Sequence, residues 1–144
     1  MRSLVTGAGG FVGGHLVRAL LEQGDQVRAA DIRTQAAWKQ VHPAAENVSL
    51  IDLSEAESAD WAAAGCDVIY HLAAIVSGEA EADFDRGYRI NLDGTRALLE
   101  AIRGAGGGYR PRVVFASSIA VFGAPLPEVV TDDFHLTPLT CYGT

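Results

Sequence analysis

Leu4-Val5-Thr6-Gly7-Ala8-Gly9-Gly10-Phe11-Val12-Gly13 runs from an apolar strand through a glycine-rich turn into a periodic apolar segment that continues to Leu21. A strand that enters such a turn just before a helix offers backbone N–H groups and the positive end of the helix to an anion. This is the seat of a dinucleotide's pyrophosphate. Read as G-x-G-x-x-G from Gly7, the string puts Val12 where its third glycine belongs, whereas T-G-x-x-G-x-x-G fits with glycines at 7, 10 and 13. Alone the turn is a weak signal, because glycines also serve simply to reverse a chain.

Outward from the turn, residues 2–6 read as a buried strand. Phe11, Leu16, Val17, Leu20 and Leu21 then recur at helical spacing, with Arg18, Glu22 and Gln23 opposite and Gly24 as a stop. Residues 26–31 make a second strand ending in Asp31, 18 residues beyond Gly13. That is about where a dinucleotide fold places the carboxylate that binds an adenosine ribose, and a charge there disfavours a 2′-phosphate. The reading is therefore NAD over NADP, tempered by Arg33, against the plainer one of a solvated strand end. Residues 38–46 are polar and irregular, with room for a short helix.

A third strand is predicted over 47–51 and an acidic, alanine-rich helix over 55–64. Ser54 and Glu57 have capping-box spacing at the start of that helix. Asp52 also has a second use, accepting from an adenine amino group while the Leu53 amide donates to the ring. Residues 67–72 form a fourth strand, followed by small Ala73 and Ala74 where backbone must pass close to something flat and bulky. The acidic stretch 77–85 reads as a solvated helix start, and the helix itself spans 82–103. Ile90, Leu98 and Ile102 form its buried side, and Gly94 inside it marks close packing. Residues 104–108 end the helix, Pro111 leads into a fifth strand over 112–116, and the segment from Ser117 to Tyr142 reads as a functional loop.

Strand and helix alternate, which predicts right-handed crossovers and an α/β, doubly wound parallel sheet of Rossmann type in the order 3-2-1-4-5. The order reverses between strands 1 and 4, so a ligand belongs at the carboxyl ends of those strands. The 144 residues are one domain's worth. A net charge of −7 argues against nucleic acid or an anionic membrane as partner. No signal-peptide core or membrane-spanning run is present, which places the protein in the cytoplasm. Cys66 and Cys141 suit free thiols in a reducing compartment. His15, His42, His71 and His135 show no ligand spacing with them, so no metal is expected.

Several pieces in this order resemble an extended short-chain dehydrogenase/reductase of the NAD-dependent epimerase/dehydratase family. They are the turn from Thr6 to Gly13, Asp52-Leu53, His71-Leu72-Ala73-Ala74, Asn91-Leu92-Asp93-Gly94-Thr95, Ser117-Ser118 with Val121-Phe122-Gly123, and Tyr142-Gly143. The resemblance covers essentially the whole chain as an NAD-binding domain. It implies that Gly7, Gly10 and Gly13 shape the turn while the Phe11 and Val12 amides meet the pyrophosphate. Asp31 holds the adenosine ribose, and Asp52 with Leu53 holds the adenine. Leu72, Ala73 and Ala74 border the cofactor, and Asn91 either holds that wall in place or contacts the cofactor itself. Ser118 binds the reacting substrate oxygen, and Tyr142 is the acid/base beside the cofactor.

The family lowers the tyrosine's pKa with a lysine four residues later, which falls just outside the 144 residues. The expectation is therefore an N-terminal portion of a longer fold, truncated before its last strands and its C-terminal substrate region and inactive alone. Its fifth strand is left partly uncovered, which favours a homodimer. The stretches 71–85 and 121–128 resemble the D-erythronate dehydrogenase subgroup, which oxidises the C2 hydroxyl of a small sugar acid with NAD. Ser77 is the candidate substrate contact there, against a plain turn residue. A nucleoside-diphosphate-sugar epimerase or dehydratase shares every visible motif, and a non-catalytic dinucleotide-binding protein is the reading from another class.

Overall fold

The computed structural model describes residues 1–32 and 48–144. Arg33, the 38–46 segment, His42 and Asn47 lie outside the described residues. Five parallel strands, β1 (Arg2–Thr6), β2 (Gln26–Asp31), β3 (Val48–Leu50), β4 (Val68–His71) and β5 (Arg112–Phe115), form one sheet in the order β3-β2-β1-β4-β5. Among the described residues the helices are α1 (Phe11–Glu22), α2 (Ala56–Ala63), α3 (Ser77–Ala82), α4 (Phe84–Gly87) and α5 (Gly94–Gly104). A π-helical segment, Tyr88–Asp93, joins α4 to α5, and a 3-10 turn, Ile119–Val121, follows β5.

β1 is central, and alternate side chains supply a core on each face of the sheet. Leu4 packs with Ile69, Ala59, Ala62 and Leu98 beneath α2 and α5, while Val5 packs with Ala8, Val17, Leu20 and Ala29 beneath α1. The small residues of α2 allow the helix to lie close on the strands, with Ala59 and Ala62 fully buried. Arg28, a charge inside β2, caps this helix. Its Nη1 donates to the carbonyls of Trp61, Ala62 and Ala64 at 2.8, 2.8 and 3.0 Å, and the guanidinium lies 4.6 Å from the Trp61 ring centroid.

Three local expectations change. Ser54 and Glu57 do not form a capping box: the N-cap of α2 is Glu55, with no side-chain cap. Ser54 instead gives both its N–H (2.9 Å) and its hydroxyl (2.7 Å) to Asp52 Oδ1, because a carboxylate two residues away closes a tighter turn than the helix end offers. The helix expected over 82–103 begins at Phe84, and residues 77–82 form a separate helix. Asp83 breaks the two apart and caps α4 by accepting from the Arg86 N–H at 3.0 Å. Gly94 is buried but has room: a methyl group there would sit 3.8 Å from Leu53 Cβ, an ordinary contact. It marks the junction of π and α geometry rather than an approach only glycine tolerates.

Candidate functional site

At the carboxyl ends of the strands a cleft of about 260 Å³ opens where the strand order reverses. Gly7, Gly10, Asp31, Asp52, Leu53, Leu72, Ala73 and Ala74 line it, as do Ser54, His71, Ile75, Glu79, Arg86 and Ile90. Gly7 takes φ +65°, and a Cβ on it would stand 2.7 Å from the Leu72 carbonyl oxygen, so only glycine brings β1's exit this close to β4's. A Cβ on Gly13 would overlap the Gly7 carbonyl, so the third glycine lets α1 rest on the turn. α1 begins with no side-chain cap and no acid in its first turn, leaving the Phe11 and Val12 N–H groups for an anion. This cradle, whose close backbone packing a side chain at Gly7 or Gly13 would break, fits the pyrophosphate of a dinucleotide.

Asp31 is not a solvated strand end. It is 9% exposed, and Oδ2 accepts the Gly9 N–H at 2.8 Å, so the carboxylate that faces the cleft also ties the turn to β2. Asp52 lines the same cleft from the end of the neighbouring strand β3, with Oδ1 engaged by Ser54, whose hydroxyl and N–H hold its carboxyl below the usual range.

The wall from Leu72 to Ile75 is fixed by a partly buried chain of hydrogen bonds with a defined direction. Thr6 Oγ1 accepts the N–H groups of Leu72 (3.1 Å) and Ala73 (3.0 Å), which uses its two lone pairs. Its own hydrogen then goes to His71 Nδ1, 2.8 Å away. His71 is left with its proton on Nε2, which donates to Thr95 Oγ1 at 2.9 Å, and Thr95 donates to the Asn91 carbonyl at 2.6 Å. Burial lowers the His71 pKa to about 4, so the ring is neutral at physiological pH. The Asn91 side chain completes the wall, accepting the Ile75 N–H at 2.9 Å and donating to the Ile75 carbonyl at 3.0 Å. Its amide is thus used on the wall.

Ser77, Ser118 and Tyr142 do not line this cleft. Ser77 is the exposed first residue of α3. The turns that carry Ser118 and Tyr142 pack on each other through backbone. Ser118 Oγ accepts the Ala120 N–H at 3.2 Å, and the Ala120 carbonyl is where a Cβ on Gly143 would collide. Only glycine after Tyr142 lets that turn settle on the turn after Ser118. The role of His71 with Thr6 and Thr95, and of Glu79 and Arg86 at the cleft, lies outside the motif reading. A histidine within an apolar strand is the one signal for the former, since a buried ring must find partners. Among the described residues, no group of three His, Cys, Asp or Glu side chains is placed to hold a metal ion, and no helix is long and apolar enough to cross a membrane.

Comparison with known proteins follows the same outline. Residues 3–144 match the family described as NAD dependent epimerase/dehydratase. The chain is 41% identical to the D-erythronate dehydrogenase of Cupriavidus necator and 35% identical to that of Haemophilus influenzae, over 99% and 100% of its length and 46% of each relative. Among solved structures it resembles the nucleoside-diphosphate-sugar epimerase from Agrobacterium tumefaciens, with TM-score 0.85, 48% identity, and coverage of 99% of this chain and 44% of that one. A short-chain dehydrogenase/reductase superfamily protein from the same organism, solved with bound NAD, gives TM-score 0.82 at 37% identity, covering 99% of this chain and 41% of that one. The chain thus spans less than half the length of these relatives.

Proposed function

This chain belongs to the NAD dependent epimerase/dehydratase family, and we propose that it is the dinucleotide-binding portion of an NAD-dependent dehydrogenase that oxidises the C2 hydroxyl of a small, D-erythronate-like sugar acid. The observation that carries the substrate class is the likeness to D-erythronate dehydrogenases along essentially the whole chain. NAD, when bound, supplies the hydride acceptor. The turn from Gly7 to Gly13 seats the pyrophosphate on the Phe11 and Val12 amides, Asp31 takes the adenosine ribose, and Asp52 with Leu53 takes the adenine. Leu72, Ala73 and Ala74, held by Thr6, His71 and Asn91, form the wall that excludes water.

Ser118 hydrogen-bonds the reacting hydroxyl, and Ser77 contacts the substrate from the start of α3. Tyr142 removes the hydroxyl proton. A phenol is a poor base at neutral pH unless its surroundings stabilise the phenolate. Placing Ser118 and Tyr142 on two interlocked turns keeps that base over the hydroxyl. The protein acts as a cytoplasmic homodimer.

The test uses the whole gene product, offered D-erythronate and related sugar acids with NAD while reduction of the nicotinamide is followed. UDP-sugars are offered separately while the sugar product is followed by chromatography, because epimerisation and dehydration return the hydride and leave no net reduced cofactor. Turnover of a sugar acid is expected, with Tyr142→Phe reducing kcat by about 10²- to 10⁴-fold while NAD affinity stays within about twofold. Turnover of no sugar acid overturns the reading. A nucleoside-diphosphate-sugar epimerase or dehydratase is the second reading, favoured by the 48% identity to a solved protein of that description, and conversion of a UDP-sugar would select it. Dinucleotide binding with no turnover of either class would point to a non-catalytic protein.

A further inference from the structure

We propose that Glu81, on the helix after β4, is a positioning residue that holds the turn carrying Tyr142. The proposal rests on the acid/base reading of Tyr142 given above. Glu81 Oε1 accepts the Tyr142 backbone N–H at 3.0 Å and lies 3.2 Å from Cys141 Sγ. The same thiol lies 3.3 Å from the Ala80 carbonyl oxygen, so two neighbouring residues of α3 meet two neighbouring residues of the turn.

Both partners of this contact are anchored elsewhere. Ala80 is 1% exposed and faces Gly87, where an added Cβ would come within 3.2 Å of Ala80 Cβ. α3 therefore packs closely on α4 at Ala80, the residue just before the one that carries the carboxylate. On the other side Gly143 rests on the Ala120 carbonyl, and Ala120 is tied to Ser118. Glu81 thus closes a continuous path from α3 through Tyr142 to Ser118.

The chemistry suits a permanent acceptor. The Tyr142 N–H, then the Cys141 thiol, hold the Glu81 carboxyl below its ordinary value, so it is ionised at neutral pH. Burial, followed by the hydrogen bond to Glu81, pushes the Cys141 thiol up and keeps it protonated as a donor. A carboxylate receiving two donors is a stronger and more directional anchor than a neutral acceptor. Of the acidic run 77–85, this side chain is the one that reaches across 61 residues to the turn of the base.

The experiment compares Glu81→Ala, Glu81→Gln and Tyr142→Phe in the whole gene product, with sugar acid and NAD. A base displaced by about 1 Å costs on the order of 10²-fold in rate. Glu81→Ala is expected to lower kcat about 10- to 100-fold while the KM for substrate and the Kd for NAD stay within about twofold. Glu81→Gln, which keeps an oxygen acceptor, is expected to recover kcat to within about threefold. A loose turn that merely weakened the fold would instead show as a lower Tm in both variants with kcat per folded molecule unchanged, and that result overturns the proposal. So does a normal kcat in Glu81→Ala while Tyr142→Phe is inert, or a loss confined to NAD affinity. If Tyr142→Phe itself turns over at the normal rate, the tyrosine reading falls and takes the positioning role with it.

Discussion

Asp31 does two things with one carboxylate. It closes the glycine turn by accepting from Gly9 at 2.8 Å, and it sets a negative charge at the end of β2, on the rim of the cleft. A dinucleotide carrying a 2′-phosphate would bring a second negative charge to the same place. Asp31→Ala is therefore expected to weaken NAD about 10- to 100-fold, the range of a hydrogen bond to a charged group, and to narrow the preference for NAD over NADP. Fluorescence titrations with both cofactors measure this, and an unchanged ratio would remove Asp31 from cofactor selection. The position of Asp31 was legible because strand length and turn spacing fix where β2 ends. Its bond to Gly9 was not, since that depends on how closely the turn folds back in space. The acidic run shows the same limit. Glu79, Glu81 and Asp83 look alike in sequence, yet one pairs with Arg86, one holds Tyr142 and one caps α4.

Where elements meet, the neutral His71 ring couples β1 to β4 and, through Thr95, to the start of α5. Its folded pKa of about 4 lies below the ordinary 6.5, so the unfolded chain binds more protons than the folded one between those values. The stability this contributes is complete above pH 6.5 and is lost as pH falls toward 4. Between pH 7 and pH 5 the loss is roughly 2 kcal/mol, at about 1.36 kcal/mol per pH unit. Urea unfolding at the two pH values should show this slope in the natural sequence, and His71→Gln should flatten it while lowering stability at pH 7. A slope equal in both proteins would mean that other groups carry it. The strands were legible as short apolar runs and α1 from its helical spacing, because burial of a strand on both faces and of a helix on one writes itself into the order of apolar residues. The π-helical segment Tyr88–Asp93 was not, since π and α turns share the same apolar spacing over so short a run.

Across the whole molecule the strand order agrees with that expected from strand–helix alternation, right-handed crossovers and a dinucleotide turn after the first strand, and among the described residues it leaves β5 at an edge, paired with β4. All four residues of β5 are exposed, including Val114 at 42% and Phe115 at 58%, and Ile119 just beyond it is 88% exposed. An apolar edge of this kind is a template for pairing with another strand. Against this stands the net charge of −7, which makes copies repel one another. The two effects differ in range. The repulsion is screened over a Debye length of about 10 Å at 0.1 M salt, whereas strand pairing acts at contact. The polypeptide of residues 1–144 is therefore expected to stay monomeric at low salt and to associate reversibly as salt and concentration rise. Val114→Lys, a charge placed on the edge, should keep it monomeric at all salts with an unchanged circular dichroism spectrum. Sedimentation velocity distinguishes the outcomes: a chain that remains monomeric in high salt would show that the β5 edge does not drive association, and equal association of Val114→Lys would place the contact elsewhere on the surface.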